Sequence, residues 1–154
     1  MNEKTGTFVV THVDEESAVL TDVADAQVHT VADHPDLAEG EVIEAQLRPE
    51  PPMEVTWELH AVETRREIPV ERSPERPTKQ AREIASDQDV GAVTRRERAG
   101  EGELHVLTVP PSETDRAVED VRTDDATVRR AARLGVDRVE IRATDGVLSV
   151  RYLP

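Results

Sequence analysis

The chain has 154 residues, enough for one ordinary hydrophobic core or two small ones. With 36% hydrophobic and 34% charged residues, and one Phe, one Trp and one Tyr, its core must be built mostly from Val, Leu, Ile and Ala. It has no cysteine, which excludes disulfides, thiolate zinc sites, iron–sulfur ligation and cysteine nucleophiles.

The charge is unusual in kind as well as amount. There are 33 acids against 19 bases, a net of −14, and only Lys4 and Lys79 are lysines. High acid, scarce lysine and small aliphatic residues together predict a protein made for concentrated salt. Self-repulsion would loosen such a chain in dilute buffer, whereas the Debye length in molar salt is only ~3 Å. Nothing at the N-terminus reads as a signal peptide, and no apolar run approaches the ~20 residues that span a bilayer. The expectation is a soluble cytoplasmic protein without membrane contact.

In chain order, 7–13 reads as a first strand carrying Phe8, Val9 and Val10. Residues 17–22 and 26–31 are β-branched runs, and the connector 23–25 is short enough for a hairpin. Residues 33–40 form a loop in which Leu37 plugs the end of a barrel and Gly40 turns the chain. A fourth strand spans 41–47, and Pro49, Pro51 and Pro52 break the ladder. Met53, Val55, Trp57, Leu59 and Ala61 then share one face of a fifth strand, opposite Glu54, Thr56, Glu58 and His60. The pattern runs on toward Ile68. Five short strands predict a small five-stranded β-barrel over residues 1–70.

Residues 71–77 read as a proline-rich linker, with Pro69, Pro74 and Pro77 around them. The two sides differ in charge: residues 1–70 carry 16 acids and 4 bases, residues 71–154 carry 17 acids and 15 bases. Beyond the linker, Thr78 is a cap for a helix reaching about Arg98, with Ala81, Ile84, Ala85, Ala92 and Val93 on one face. Gly100 and Gly102 end it. Residues 103–109 read as a buried strand stopped by Pro110 and Pro111. Ser112 with Asp115 looks like an N-cap with a capping-box partner. Val118 and Val121 mark a short helical face. Thr123 or Asp124 caps a further piece with Val128, Ala131, Ala132 and Leu134 in a stripe, ending at Gly135. A strand over 136–143, an Asp145-Gly146 turn and a closing strand over 147–153 complete the pattern. The two strands flanking the helices are expected to run side by side in parallel, with the hairpin as an antiparallel third. The fold class is therefore α+β: a barrel, then a small α-β-α-β-β layer over 78–154 packed on it, the two lobes sharing an interface.

No catalytic, cofactor or metal constellation can be assembled. His12, His29, His34, His60 and His105 show no zinc-ligand spacing and read as solvent-exposed. Glu39 and Glu41, residues 14–16, and Asp124 with Asp125 read as solvated surface or caps. There is no Walker loop, dinucleotide glycine pattern or serine nucleophile elbow. Two arginine clusters stand out. Arg95, Arg96 and Arg98 close the first predicted helix. Arg129, Arg130 and Arg133 lie on the second helical region, with Arg122 and Arg138 nearby. Bases near helix C-termini ordinarily offset the macrodipole and pair with acids. The functional alternative is a surface that contacts phosphates or docks an acidic protein surface, including that of another copy.

The first-half pattern resembles small OB-like and TRAM-like barrels. The likeness is carried by the opening strand, the hairpin SAVLTDVADAQVHTV, and the entry Leu37-Ala38-Glu39-Gly40-Glu41-Val42-Ile43-Glu44-Ala45. It implies a nucleic-acid-binding scaffold. Over nearly its full length, the chain also resembles a family of small halophilic archaeal proteins of unknown function. That likeness rests on EKTGTF, PEPPMEVTW, TRRERAGEGE, HVLTVPP and the ending VRYLP. It implies a host type and a cytoplasmic address, and no activity. Together these features predict a non-catalytic binding or adaptor protein with a protein partner. RNA or single-stranded DNA binding through the barrel or the arginines is the alternative, and an unrecognised enzyme activity the remotest reading. Single-strand binders pair a basic groove with exposed aromatics. The acidic first half offers only Phe8 and Trp57.

Overall fold

A computed structural model describes residues 3–51, 56–98 and 101–154 of the chain. Pro52, Met53, Glu54 and Val55 therefore lie outside the described residues, as does Gly100. The chain divides into two compact units, Met1–Ile68 with Val128–Arg133, and Pro69–Thr127 with Leu134–Pro154.

The first unit holds β1 (Lys4–Val13), β2 (Ser17–Asp22), β3 (Val28–Ala32), β4 (Val42–Pro49) and β5 (Trp57–Arg66). They pair in the order β1-β2-β3-β5-β4, and β4 returns to β1, so the sheet closes on itself. Among the described residues of this unit, only β3 and β5 pair in parallel, at Val31 and Trp57. One face of each strand is apolar, and closure turns those faces inward. Phe8, Val10, Ala18, Leu20, Val31, Ile43, Ala45 and Leu47 form the core. Leu37 joins them from the loop.

β1 starts three residues before the predicted position because it serves two neighbours. Lys4–Val9 pair with β4 and Phe8–Val13 with β2. The β2–β3 connection is longer than three residues. Asp22 accepts from the Ala24 N–H at 2.7 Å, and Ala26, predicted as strand, turns the chain at φ 62°. The strict alternation expected along β5 also fails. The register shift between Gln46 and Leu47 of β4 flips the phase, so Ala61 is exposed and Val62 packs on the core in its place.

The loop after β3 is tied by polar groups. His34 Nδ1 accepts from the Leu37 N–H at 3.1 Å, which aims Leu37 inward. Buried Glu41 accepts from the Ala38 N–H at 2.7 Å and from Arg65 through Nε at 2.7 Å and Nη2 at 2.8 Å. Glu41 is thus an interior anchor, contrary to its reading as solvated surface. The bond from Arg65 holds its carboxyl below the ordinary value; burial opposes this and the Ala38 N–H adds to it.

The second unit holds β6 (Val70–Arg72), α1 (Lys79–Ser86), β7 (Val93–Glu97), β8 (Glu103–Thr108), α2 (Thr114–Thr123), α3 (Asp125–Leu134), β9 (Arg138–Thr144) and β10 (Val147–Leu153), except that 128–133 of α3 group with the first unit. Its sheet has five strands rather than three, in the order β6-β9-β10-β8-β7. β8 and β9 do run in the same direction, but β10 lies between them and is antiparallel to both. β6 falls at the start of the stretch read as linker and pairs in parallel with β9. Ala81 and Ala85 of α1 pack on Val106 on one sheet face; Val118 of α2 packs with Ile141 and Leu148 on the other.

Two local expectations are corrected. The helix capped by Thr78, whose hydroxyl accepts from the Ala81 N–H at 3.2 Å, stops at Ser86 and does not reach Arg98. Gly91 turns the chain at φ 92°. The Gln88 carboxamide then donates to the Ala92 and Val106 carbonyls, at 3.2 and 3.1 Å, fixing β7 beside β8. Ser112 does not cap α2 either. Pro111–Glu113 form a 3-10 turn, and the Thr114 hydroxyl donates back to the Pro111 carbonyl at 2.8 Å. Asp124 does cap α3, accepting from the Ala126 N–H at 2.9 Å.

Candidate functional site

The six singled-out arginines fall in different places. Arg129, Arg130 and Arg133 lie on α3 within the first unit. Arg95 and Arg96 lie on β7, not on a helix, and Arg98 follows it. They therefore cannot offset a helix macrodipole. Of the bases nearby in sequence, Arg122 forms an ion pair with Glu119, with Nε 2.9 Å from a carboxylate oxygen. Arg138 approaches Glu140 at 3.9 Å.

β7 is an edge strand that pairs only with β8. The Arg98 N–H donates to the Gly102 carbonyl at 3.2 Å, and the Thr108 N–H to the Ala92 carbonyl at 3.2 Å. In an antiparallel ladder the bonded residues alternate. The backbone groups of Thr94 and Arg96 therefore face β8, and those of Val93, Arg95 and Glu97 point outward. Among the described residues no strand occupies that outer side. Val93 itself is 47% exposed.

The sheet face beside β7 carries a cleft of about 430 Å³, bordered by Arg96, Arg98, Leu104, Ser149, Arg151 and the start of α1 at Thr78 and Gln80. Glu97 stands on its rim. The pairing registers explain the grouping. Arg151, Leu104 and Arg96 form one row across β10, β8 and β7; Ser149, Val106 and Thr94 form another on the same face. The backbones at Arg96 and Arg151 are about 10 Å apart, two inter-strand steps, with Leu104 as the floor between them.

Arg151 is anchored. Its Nη1 donates to Glu140 at 2.7 Å, and Arg142 Nε donates to the same carboxylate oxygen at 2.7 Å. Burial pushes the Glu140 carboxyl up, but the bonds from Arg142 and Arg151 outweigh it and hold the group below its ordinary value. Arg98 uses Nη1 on the Glu101 carbonyl at 3.0 Å. Ser149 and Arg151 escaped sequence reasoning. Their signal was a pair of polar residues two positions apart in an otherwise apolar closing strand, VLSVRYL.

The histidines divide against expectation. His29 and His105 are buried. His105 Nε2 lies 2.9 Å from the Glu103 carboxylate, and its ring packs against Tyr152 at 4.9 Å. His29 lies between Phe8 and Trp57. Among the described residues, no group of three or more His, Asp and Glu could hold a metal ion, and no helix is long and apolar enough to cross a membrane.

A family model matches residues 4–143 of the chain. The chain belongs to a family of unknown function, DUF5812. No curated protein and no solved structure matches it. The DUF5812 match takes in β7 with Arg95, Arg96 and Arg98, and all of α1. It ends before Ser149 and Arg151, the two cleft residues on β10.

Proposed function

We propose that this DUF5812 chain is a non-catalytic binding protein that takes up an extended, acidic segment of another protein along the open edge of β7. The observation that carries this is the edge itself. Three outward residues offer backbone N–H and C=O groups in strand geometry, and Arg95 and Arg96 add two exposed positive charges beside them. A partner strand would satisfy those groups in the manner of β-strand addition. A second copy fits poorly. Antiparallel pairing of VTRRE with itself about its centre sets Arg95 against Arg95, and like charges directly opposite destabilise. An acidic partner matches instead. The composition supports a salt-rich cytoplasm as the setting, where exposed charge pairs are heavily screened and backbone pairing keeps its strength.

The competing reading is RNA or single-stranded DNA binding. The closed order β1-β2-β3-β5-β4 with β3 parallel to β5 supports an OB-like barrel. Yet Phe8 and Tyr152 are buried, and Trp57 packs on the barrel core. These are all the Phe, Trp and Tyr residues of the chain, and none is fully exposed, so the large rings that ordinarily serve base stacking are scarce. Protein binding is therefore favoured.

The test is capture of partners by the tagged chain in molar KCl with nuclease present, comparing the wild type with Arg95→Pro. The Arg95 N–H points away from β8, so proline there blocks strand addition and spares the ladder. A defined protein partner, stoichiometric with the wild type and lost from the variant, is expected. Equal recovery by both proteins overturns the β7 assignment. A discrete nucleic acid recovered without nuclease, and no protein with it, overturns the protein-binding reading altogether.

A further inference from the structure

We propose that the cleft at the start of α1 is a binding site for a phosphate-type oxyanion, free or carried on a small molecule. The Arg96, Arg98 and Arg151 guanidinium groups, the Ser149 hydroxyl and the leading N–H groups of α1 are its ligands.

Ser149 is 1% exposed and borders the cleft, so its hydroxyl stands beside the three guanidinium groups as a further donor. α1 adds backbone donors. The Thr78 hydroxyl is occupied by the Ala81 N–H, and the Thr78 carbonyl by the Arg82 N–H. The Gln80 N–H has no acceptor inside the helix, as for any second helical residue, and Gln80 lines the cleft.

The three arginines supply charge and forked donors. Arg96 has no partner among the described residues, and Arg98 and Arg151 each commit one nitrogen elsewhere. Paired N–H groups of a guanidinium match two oxygens of a phosphate. Leu104 closes the floor with apolar surface, which lowers the local dielectric and strengthens those bonds.

Size and charge narrow the ligand. About 430 Å³ exceeds a bare phosphate ion and lies near the lower end of small-molecule sites. Glu97 among the lining residues limits the negative charge the cleft can hold, which favours a single phosphoryl group. The site shares the Arg96 side chain with the edge but does not need strand addition at β7. Edge pairing uses outward backbone groups of Val93, Arg95 and Glu97, whereas the cleft uses side chains on the sheet face.

The test is a titration of the full, 15N-labelled chain with inorganic phosphate, at constant molar ionic strength set with KCl, followed by NMR. Saturable shifts are expected at the Gln80 amide and at the Arg96 and Arg151 side-chain N–H groups. Arg96→Gln is expected to weaken Kd roughly five- to tenfold, and Ser149→Ala about fivefold. Arg129→Gln, on α3 in the other unit, should leave Kd unchanged. If Arg96→Gln does not fold, Ser149→Ala gives the same reading with a smaller change to the surface. Absence of saturable shifts at those groups, or equal shifts with KCl alone, overturns the site. A glycerol phosphate arm separates the sources: tighter binding than phosphate points to a carried phosphoryl group, equal binding to the free ion, and either supports the site. A single-stranded oligonucleotide that shifts the same residues at far lower concentration overturns the small-ligand assignment.

Discussion

Replacing His29 with leucine should remove a specific pH dependence of stability from the first unit. His29 is buried on β3 opposite Leu20, its ring edge-on to Phe8 at 5.9 Å and to Trp57 at 5.0 Å. Its Nε2 has no hydrogen-bond partner among the described residues. Burial lowers its pKa below the ordinary 6.5, Lys4 lowers it further, and Asp22 and Asp25 oppose. Above pH 6.5 the ring is neutral folded or unfolded, and protonation costs nothing. Below it the unfolded chain takes a proton that the folded barrel refuses, so stability falls with pH until the folded group titrates. One proton limits the slope to about 1.4 kcal/mol per pH unit. At pH 8 the substitution should be nearly neutral. It removes an unpaired buried nitrogen costing about 1–3 kcal/mol and gives up two ring contacts of about 0.5–1.5 kcal/mol each. Urea unfolding at pH 8, 7, 6 and 5 in molar KCl, for wild type and His29→Leu, measures the difference directly. The other histidines and the carboxylates are common to both proteins and cancel. The variant should gain on the wild type as pH drops below 6.5. Parallel curves, with a constant difference across the series, would refute the reasoning.

Gly102→Ala should cost on the order of 3 kcal/mol or more, because Gly102 sits at φ 94° and an added Cβ would lie 2.0 Å from the Tyr152 carbonyl oxygen; a shift in urea midpoint worth under ~1 kcal/mol would contradict the close approach of β10 there. The thermal midpoint should rise from low salt to molar KCl, since the net charge of −14 repels itself when unscreened. Equal midpoints by circular dichroism would count against adaptation to salt.

Much of the fold was legible where local chemistry decides it. The Ser17–Asp22 strand, the Thr78 and Asp124 caps, the Asp145-Gly146 turn and the inward Leu37 all follow from side chains acting on their own neighbours. What was missed depends on distant pairing. β6 and β7 are short, polar edge strands whose identity comes from β9 and β8. A run such as Thr94-Arg95-Arg96-Glu97 carries no apolar period of its own, so an arginine-rich helix end was the natural reading. The shifts in β5 are set by its register on β4, which strict alternation cannot reveal. Within the candidate site, Arg96 and Arg98 were legible as a charged cluster. Arg151 and Ser149 were not, because only the sheet order β10-β8-β7 brings them beside those arginines.

The pattern of commitment among the arginines gives the cleft and its edge their interest. Acids outnumber bases by 33 to 19, so a base here has no shortage of partners. Arg48 lies 2.7 Å from Glu3, Arg65 forks onto Glu41, Arg72 meets Asp115 at 2.9 Å, and Arg142 reaches Glu75 and Glu140 at 2.7 Å each. All but the Arg142–Glu140 pair join segments distant in sequence. Arg95 and Arg96, side by side on an open edge, have no acidic partner among the described residues. Exposed pairs are worth ~0–1 kcal/mol and less in concentrated salt, so long-range attraction would add little affinity there. What survives screening is short-range geometry: strand hydrogen bonds along β7 and forked guanidinium contacts over the apolar floor at Leu104. Both proposed interactions draw on that residual term, which is why each is to be tested in molar KCl rather than in dilute buffer.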